Sequence, residues 1–93
     1  MIVFTIPAED PDGMALMRDL YRRYSRLMFA EALRRVSNRQ DCEDIVQDAV
    51  ESLCGKLDTL RELPAAAVPA YIVYTVKHKS ISFLRHQAVV GRH

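Results

Sequence analysis

At 93 residues, 49% of them hydrophobic and 27% charged, with only 3 Gly and 4 Pro, the chain has the length and balance of one folded domain. This excludes a two-domain arrangement, a disordered tail and a collagen-like fibre, and no apolar run approaches the roughly 20 residues that span a bilayer. The net charge of +1 comes from 13 basic and 12 acidic residues that are sorted into blocks along the chain rather than mixed.

The opening Met1 to Ile6 is too short, and too poor in basic residues, for a secretory signal, so a cytoplasmic location is expected. Pro11 and Asp12, the latter a suitable N-cap, precede the first helix. There Met17, Leu20, Tyr21, Tyr24, Leu27 and Met28 recur at spacings of three and four and form one apolar stripe, with Phe29, Leu33 and Val36 on a second. The pattern predicts a helix over about 13–36. Its outer face is basic: positions 18–39 hold seven Arg against Asp19 and Glu31. Of these, Arg22, Arg23 and Arg26 read more readily as solubility charges than as phosphate contacts.

Ser37 and Asn38 break the pattern, and Asn38 is a good N-cap with Asp41 three residues on. Cys42, Ile45, Val46, Ala49, Val50, Leu53 and Leu57 then form the apolar side of a second helix, predicted over about 39–57. The other side carries Glu43, Asp44, Gln47, Asp48 and Glu51. Gly55 weakens its end by about 1 kcal/mol relative to Ala. Residues 58–69 read as a connection, because Pro64 and Pro69 both resist continuation of a preceding helix; Pro69 also suits the first turn of the next.

Tyr71 to Val76 is aromatic and β-branched, a strand signal by local preference. Length favours a helix instead, since Val73, Val76, Ser80, Phe83, Leu84 and Gln87 keep helical spacing and only Ile2 to Phe4 offers a second strand. The third helix is predicted over about 69–87, with a basic surround of Lys77, Lys79, Arg85 and Arg92 and no acid after position 62. The expected fold is therefore all-α, with three principal helices and room for a short extra helix or an ordered N-terminal arm.

Familiar catalytic and metal patterns are missing. Cys42 and Cys54 on one helix would stand about 18 Å apart along its axis, against a limit of roughly 7 Å for a disulfide. His78, His86 and His93 have no cysteine near them, and the chain has no Gly-rich phosphate loop, no G-x-S-x-G and no H-E-x-x-H. No metal, no cofactor and no enzymatic activity are expected.

Two constellations remain. Asp44, Gln47, Asp48 and Glu51 offer acceptors on one helix face, suited to basic side chains of a partner or simply to water. Tyr71, Tyr74, His78, Ser82 and Arg85 share a stripe of the third helix, flanked by Lys77 and Lys79. Rings interleaved with cations suit an unpaired nucleic-acid strand, because bases stack on rings while phosphates attract Lys and Arg. By themselves the tyrosines read better as core residues at helical spacing.

Four segments carry a resemblance that weighs between these readings. Leu20-Tyr21-Arg22-Arg23-Tyr24-Ser25, Ala32-Leu33-Arg34-Arg35-Val36, Asp41-Cys42-Glu43-Asp44-Ile45-Val46-Gln47-Asp48, and Ala70 to His78 with Phe83-Leu84-Arg85 occur in the order seen in region 2 of bacterial extracytoplasmic-function (ECF) sigma factors. The chain resembles that region from about residue 16 to 86. The resemblance implies a transcription initiation module that docks on the β′ clamp helices of core RNA polymerase through Asp44, Gln47, Asp48 and Glu51. It further implies that Tyr71, Tyr74, Lys77, His78, Lys79 and Arg85 read and help melt the minus-ten promoter element through its non-template strand. Region 2 is not an enzyme, and an anti-sigma factor is a further partner the family suggests; no membrane is. Several positions depart from the family pattern: Tyr71 stands where Trp is usual, His78 where Asn is usual, and Val50, Cys54 and Gly55 where the family tends to have a large aromatic, another aromatic and a cation. No second promoter-binding domain follows in the sequence. These departures leave a sigma-like decoy, which binds polymerase or a regulator without reading DNA, as the alternative.

Overall fold

The computed structural model describes residues 1–90; Arg92 and His93 lie outside the described residues. Helix α1 spans Pro11–Leu33. Its N-cap is Asp10 rather than Asp12: the Asp10 carboxylate accepts the Gly13 N–H at 2.9 Å, and Pro11 takes the first helical position, where no N–H donor is required. The helix also stops before position 36. Arg35 and Val36 both donate their N–H to the Ala32 carbonyl, at 3.1 and 3.2 Å, so Val36 is buried from the turn rather than from the helix.

Helix α2 spans Arg39–Cys54. Asn38 caps it as expected, accepting the Asp41 N–H at 2.7 Å and donating to the Asp41 carboxylate at 3.0 Å. Cys42, Ile45, Val46, Ala49, Val50 and Leu53 are buried along its inner side. Gly55 closes the helix three residues before the expected end, its N–H shared between the Glu51 and Ser52 carbonyls. Both cysteines are free and buried, and burial, reinforced by the Asp41 charge, pushes the Cys42 thiol up and away from a reactive thiolate.

The segment expected to be a mere connection contains a short helix, α3, over Leu57–Glu62, and a single 3-10 turn at Ala65–Ala67. Leu57 and Leu60, three apart, are buried and tie α3 to the core. Helix α4 then spans Val68–Val90, with Pro69 in its first turn, and runs beyond the expected end at Gln87. Its buried line is Val68, Ile72, Val76 and Ser80. The expected line is thus corrected: Val73 is only half-buried, and Leu84 and Gln87 are exposed. Tyr71 to Val76 is aromatic or aliphatic apart from Thr75, so spacing alone does not fix which side turns inward.

Helices α1, α2 and α4 pack pairwise around one core, and α3 touches α1 and α2. Met17, Met28, Ile45, Leu53 and Ile72 are its largest fully enclosed side chains. The buried Ser80 hydroxyl donates to the Val76 carbonyl at 2.8 Å and so leaves no orphaned polar atom. Among the described residues there is no strand, and no helix is long and apolar enough to cross a membrane. The architecture is all-α, with three principal helices, a short extra helix and an extended N-terminal arm.

Candidate functional site

The Asn38 cap fixes where α2 begins, and the 3.6-residue period then turns every other group of its residues outward. Asp44, Asp48 and Glu51 are exposed, while Glu43 and Gln47 are half-buried on the same face. Asp44 accepts a hydrogen bond from the Gln40 amide at 3.3 Å. The acceptors expected from the sequence therefore share one outer face, but they are not equally free.

Gln47 is engaged by the N-terminal arm. Its side-chain carbonyl accepts the Val3 N–H at 2.7 Å, and its amide donates to the Val3 carbonyl at 2.8 Å, an arrangement that imitates a strand pairing. The same amide also lies 3.4 Å from Glu51. One turn earlier, Glu43 accepts the Met1 ammonium at 2.5 Å, and this hydrogen bond holds its carboxyl below the usual carboxylate range. Ile2, Phe4 and Ile6 alternate inward, and the Phe4 ring meets Tyr21 edge-on at a centroid distance of 5.7 Å. Burial, with Glu43 nearby, pushes the Tyr21 hydroxyl above its usual value.

On α4 the inward line of Val68, Ile72, Val76 and Ser80 leaves Tyr71, Tyr74, His78 and Arg85 along an outer stripe. Tyr71 is half-buried and packs against the core, with the Thr75 hydroxyl on its carbonyl at 3.0 Å. Tyr74 is 60% exposed, and its ring lies 4.2 Å from the His78 imidazole at a 45° tilt. Lys77, His78 and Arg85 are exposed.

Lys79 departs from this stripe. It turns toward α2 and stands 3.7 Å from Asp48, an ion pair that joins the two expected sites across the α2–α4 seam. Around that pair, Asp44, Asp48, Lys79, Ser82, Phe83 and His86 line an open cleft of about 290 Å³. The carboxylate face and the aromatic stripe are thus neighbours on one side of the bundle.

Two features escape the sequence pattern. The arm contacts are foreshadowed only by the period-two alternation of Ile2, Phe4 and Ile6, which is too short to assign. Glu31 is 6% exposed and lies between Arg34 at 3.4 Å and Arg35 at 2.5 Å. The signal for it is a lone acid three and four residues before two arginines. On the outer face of α1, Arg22, Arg23 and Arg26 are exposed, with Arg23 paired to Asp19 at 3.3 Å.

No individual curated protein and no solved structure matches the chain. Its sequence does match a family model, that of sigma-70 region 2, over residues 20–89, a stretch containing α2, α3, the α4 stripe and nearly all the groups described above. Region 2 is the non-enzymatic part of a sigma factor concerned with polymerase binding and promoter recognition, and the chain belongs to the sigma-70 region 2 family.

Proposed function

We propose that this domain is the polymerase-docking and promoter-opening module of an ECF-type sigma factor. Asp44, Gln47, Asp48 and Glu51 dock on the β′ clamp helices, where charge-assisted hydrogen bonds to basic side chains give register as well as affinity. The α4 stripe receives the non-template strand of the minus-ten element: Tyr71 and Tyr74 stack on unpaired bases, His78 offers hydrogen bonds to a base edge, and Lys77, Lys79 and Arg85 meet phosphates. The mechanism is differential binding. Capturing unstacked bases lowers the free energy of the open complex relative to duplex, and the polymerase performs the chemistry.

The single observation that carries this reading is the exposure of Tyr74 beside His78 on a helix that also presents Lys77 and Arg85, one seam away from exposed carboxylates on α2. A core role would enclose that ring. The test is binding of a single-stranded minus-ten oligonucleotide at two salt concentrations, together with association with core polymerase. Strand recognition gives an affinity that falls with salt and falls again in Lys77→Ala and Tyr71→Ala, and docking gives weaker polymerase association in Asp44→Arg. Polymerase association without any oligonucleotide binding would instead favour the decoy, a reading to which the diversion of Lys79 onto Asp48 lends support.

A further inference from the structure

We infer that the N-terminal arm, Met1 to Ile6, is a strap that competes in cis with polymerase for the α2 face, so that docking requires the arm to peel away. The inference rests on the docking role proposed above for Asp44, Gln47 and Asp48.

The arm occupies that face through side-chain recognition of its backbone. Both hydrogen-bonding groups of the Gln47 amide are directed at Val3, one accepting its N–H and the other donating to its carbonyl, at 2.7 and 2.8 Å. Val3 thereby takes one donor and one acceptor site of Gln47, and the amide nitrogen also lies 3.4 Å from Glu51, so most of this side chain's hydrogen-bonding capacity is engaged while the arm is seated. Glu43, on the same face, is taken by the arm as well. Phe4 against Tyr21, with Ile2 and Ile6 half-buried beside the core, seats the arm so that these bonds form.

The attachment is also weak enough to open. Residues 1–6 make no backbone–backbone hydrogen bond to the rest of the described chain. Val3 remains 54% exposed, and none of the apolar arm residues is fully enclosed. A segment held by one amide, one exposed terminal ion pair, one edge-on ring contact and partial burial belongs to the low-stability end of the structure, where local opening precedes global unfolding. If only the open fraction docks, the measured dissociation constant is the intrinsic one divided by that fraction, and loosening the arm strengthens docking.

Val3→Pro provides the cleanest perturbation. Proline removes the N–H that Gln47 accepts, suits an extended backbone, and alters neither Gln47 nor any helix. Phe4→Ala loosens the arm by a different route. With folding verified by circular dichroism, both variants are titrated against core RNA polymerase beside the unmodified chain and Asp44→Arg. The expected result is affinity tightened roughly three- to tenfold in Val3→Pro and in Phe4→Ala, the size of one lost hydrogen bond or ring contact, and weakened in Asp44→Arg. Unchanged or weakened binding in both arm variants, with Asp44→Arg still weakened, overturns the strap and leaves the docking reading standing. Unchanged binding in Asp44→Arg overturns the docking reading and the strap together.

Discussion

Replacing Tyr74 with alanine separates binding from folding more sharply than any other change on α4. The ring is 60% exposed and its one aromatic neighbour is His78, so truncation removes little buried surface. Surface changes of this kind alter stability by about 0.5 kcal/mol or less, and alanine's better helix propensity offsets part of that. For a domain of this size the melting temperature should shift by no more than roughly 2–4 °C. Loss of one base–ring stack, by contrast, costs about 1–3 kcal/mol, which weakens binding of a single-stranded minus-ten oligonucleotide roughly 5- to 140-fold. Tyr74→Phe keeps the ring and should keep most of the affinity. Ile72→Ala, two positions away but fully enclosed, should do the reverse, lowering stability by about 2–5 kcal/mol through the cavity it leaves. Fluorescence anisotropy and thermal melts on the four proteins provide the test. Tyr74→Ala binding that matches the unmodified chain would refute the stacking argument, and a large loss of stability in that variant would refute the exposure on which it stands.

The salt response follows from the same stripe: if Lys77, Lys79 and Arg85 each neutralise a phosphate, the single-strand slope is about −2, and affinity falls roughly 18-fold between 50 and 200 mM salt; a flat response excludes phosphate contacts. Glu31→Ala leaves the half-buried Arg35 without its partner and should cost about 2–3 kcal/mol, read from urea midpoints. The acidic limb carries the sign: hydrogen bonding from Arg35 lowers the Glu31 carboxyl below its ordinary value of 4.5 despite burial, so its stabilisation is full above that value and is lost as pH falls through and below it. Glu31→Gln should therefore lose less stability than the unmodified chain between about pH 5 and 3. Gly13→Ala should destabilise by about 1–2 kcal/mol even though alanine is the better helix former, because its Cβ would collide with the Asp10 carboxylate and lie 2.9 Å from Leu57 Cδ1. Melting temperatures of Gly13→Ala and Asp10→Ala, alone and combined, check that the shared cap is the cause.

Legibility followed amphipathicity. Helix α2 has acids on one side, aliphatics on the other and an asparagine cap, so its start and its buried side were readable, but its end was not, and Leu57 belongs to α3. Helix α1 was readable in type and not in limits, because Asp10 and Asp12 flank the same proline and only coordinates show which carboxylate reaches Gly13. The buried side of α4 was not readable across Tyr71 to Val76, a run without a polar residue to set its phase except Thr75. Helix α3 is six residues long, fewer than two full turns, and so too brief for periodicity to detect. The candidate site divided the same way. Its carboxylates and rings were legible as residue types at helical spacing; the capture of Gln47 by Val3 and of Lys79 by Asp48 arises between segments more than 30 positions apart, where local pattern carries no information.

None of the described residues, glycine included, adopts a positive φ, and every peptide bond among them is trans. The turns between helices are made by the Asn38 cap, by carbonyls shared at Ala32 and around Gly55, and by a 3-10 turn after Pro64, rather than by backbone shapes that only one amino acid can take. Evolutionary drift through such turns meets few absolute barriers: a sequence can wander far while an inward aliphatic is exchanged for another and one cap replaces the next. Gly13 is the exception, fixed by crowding from its own Asp10 cap and from Leu57 of α3 instead of by torsion, and it is the first place where substitution should expose the limits of that freedom.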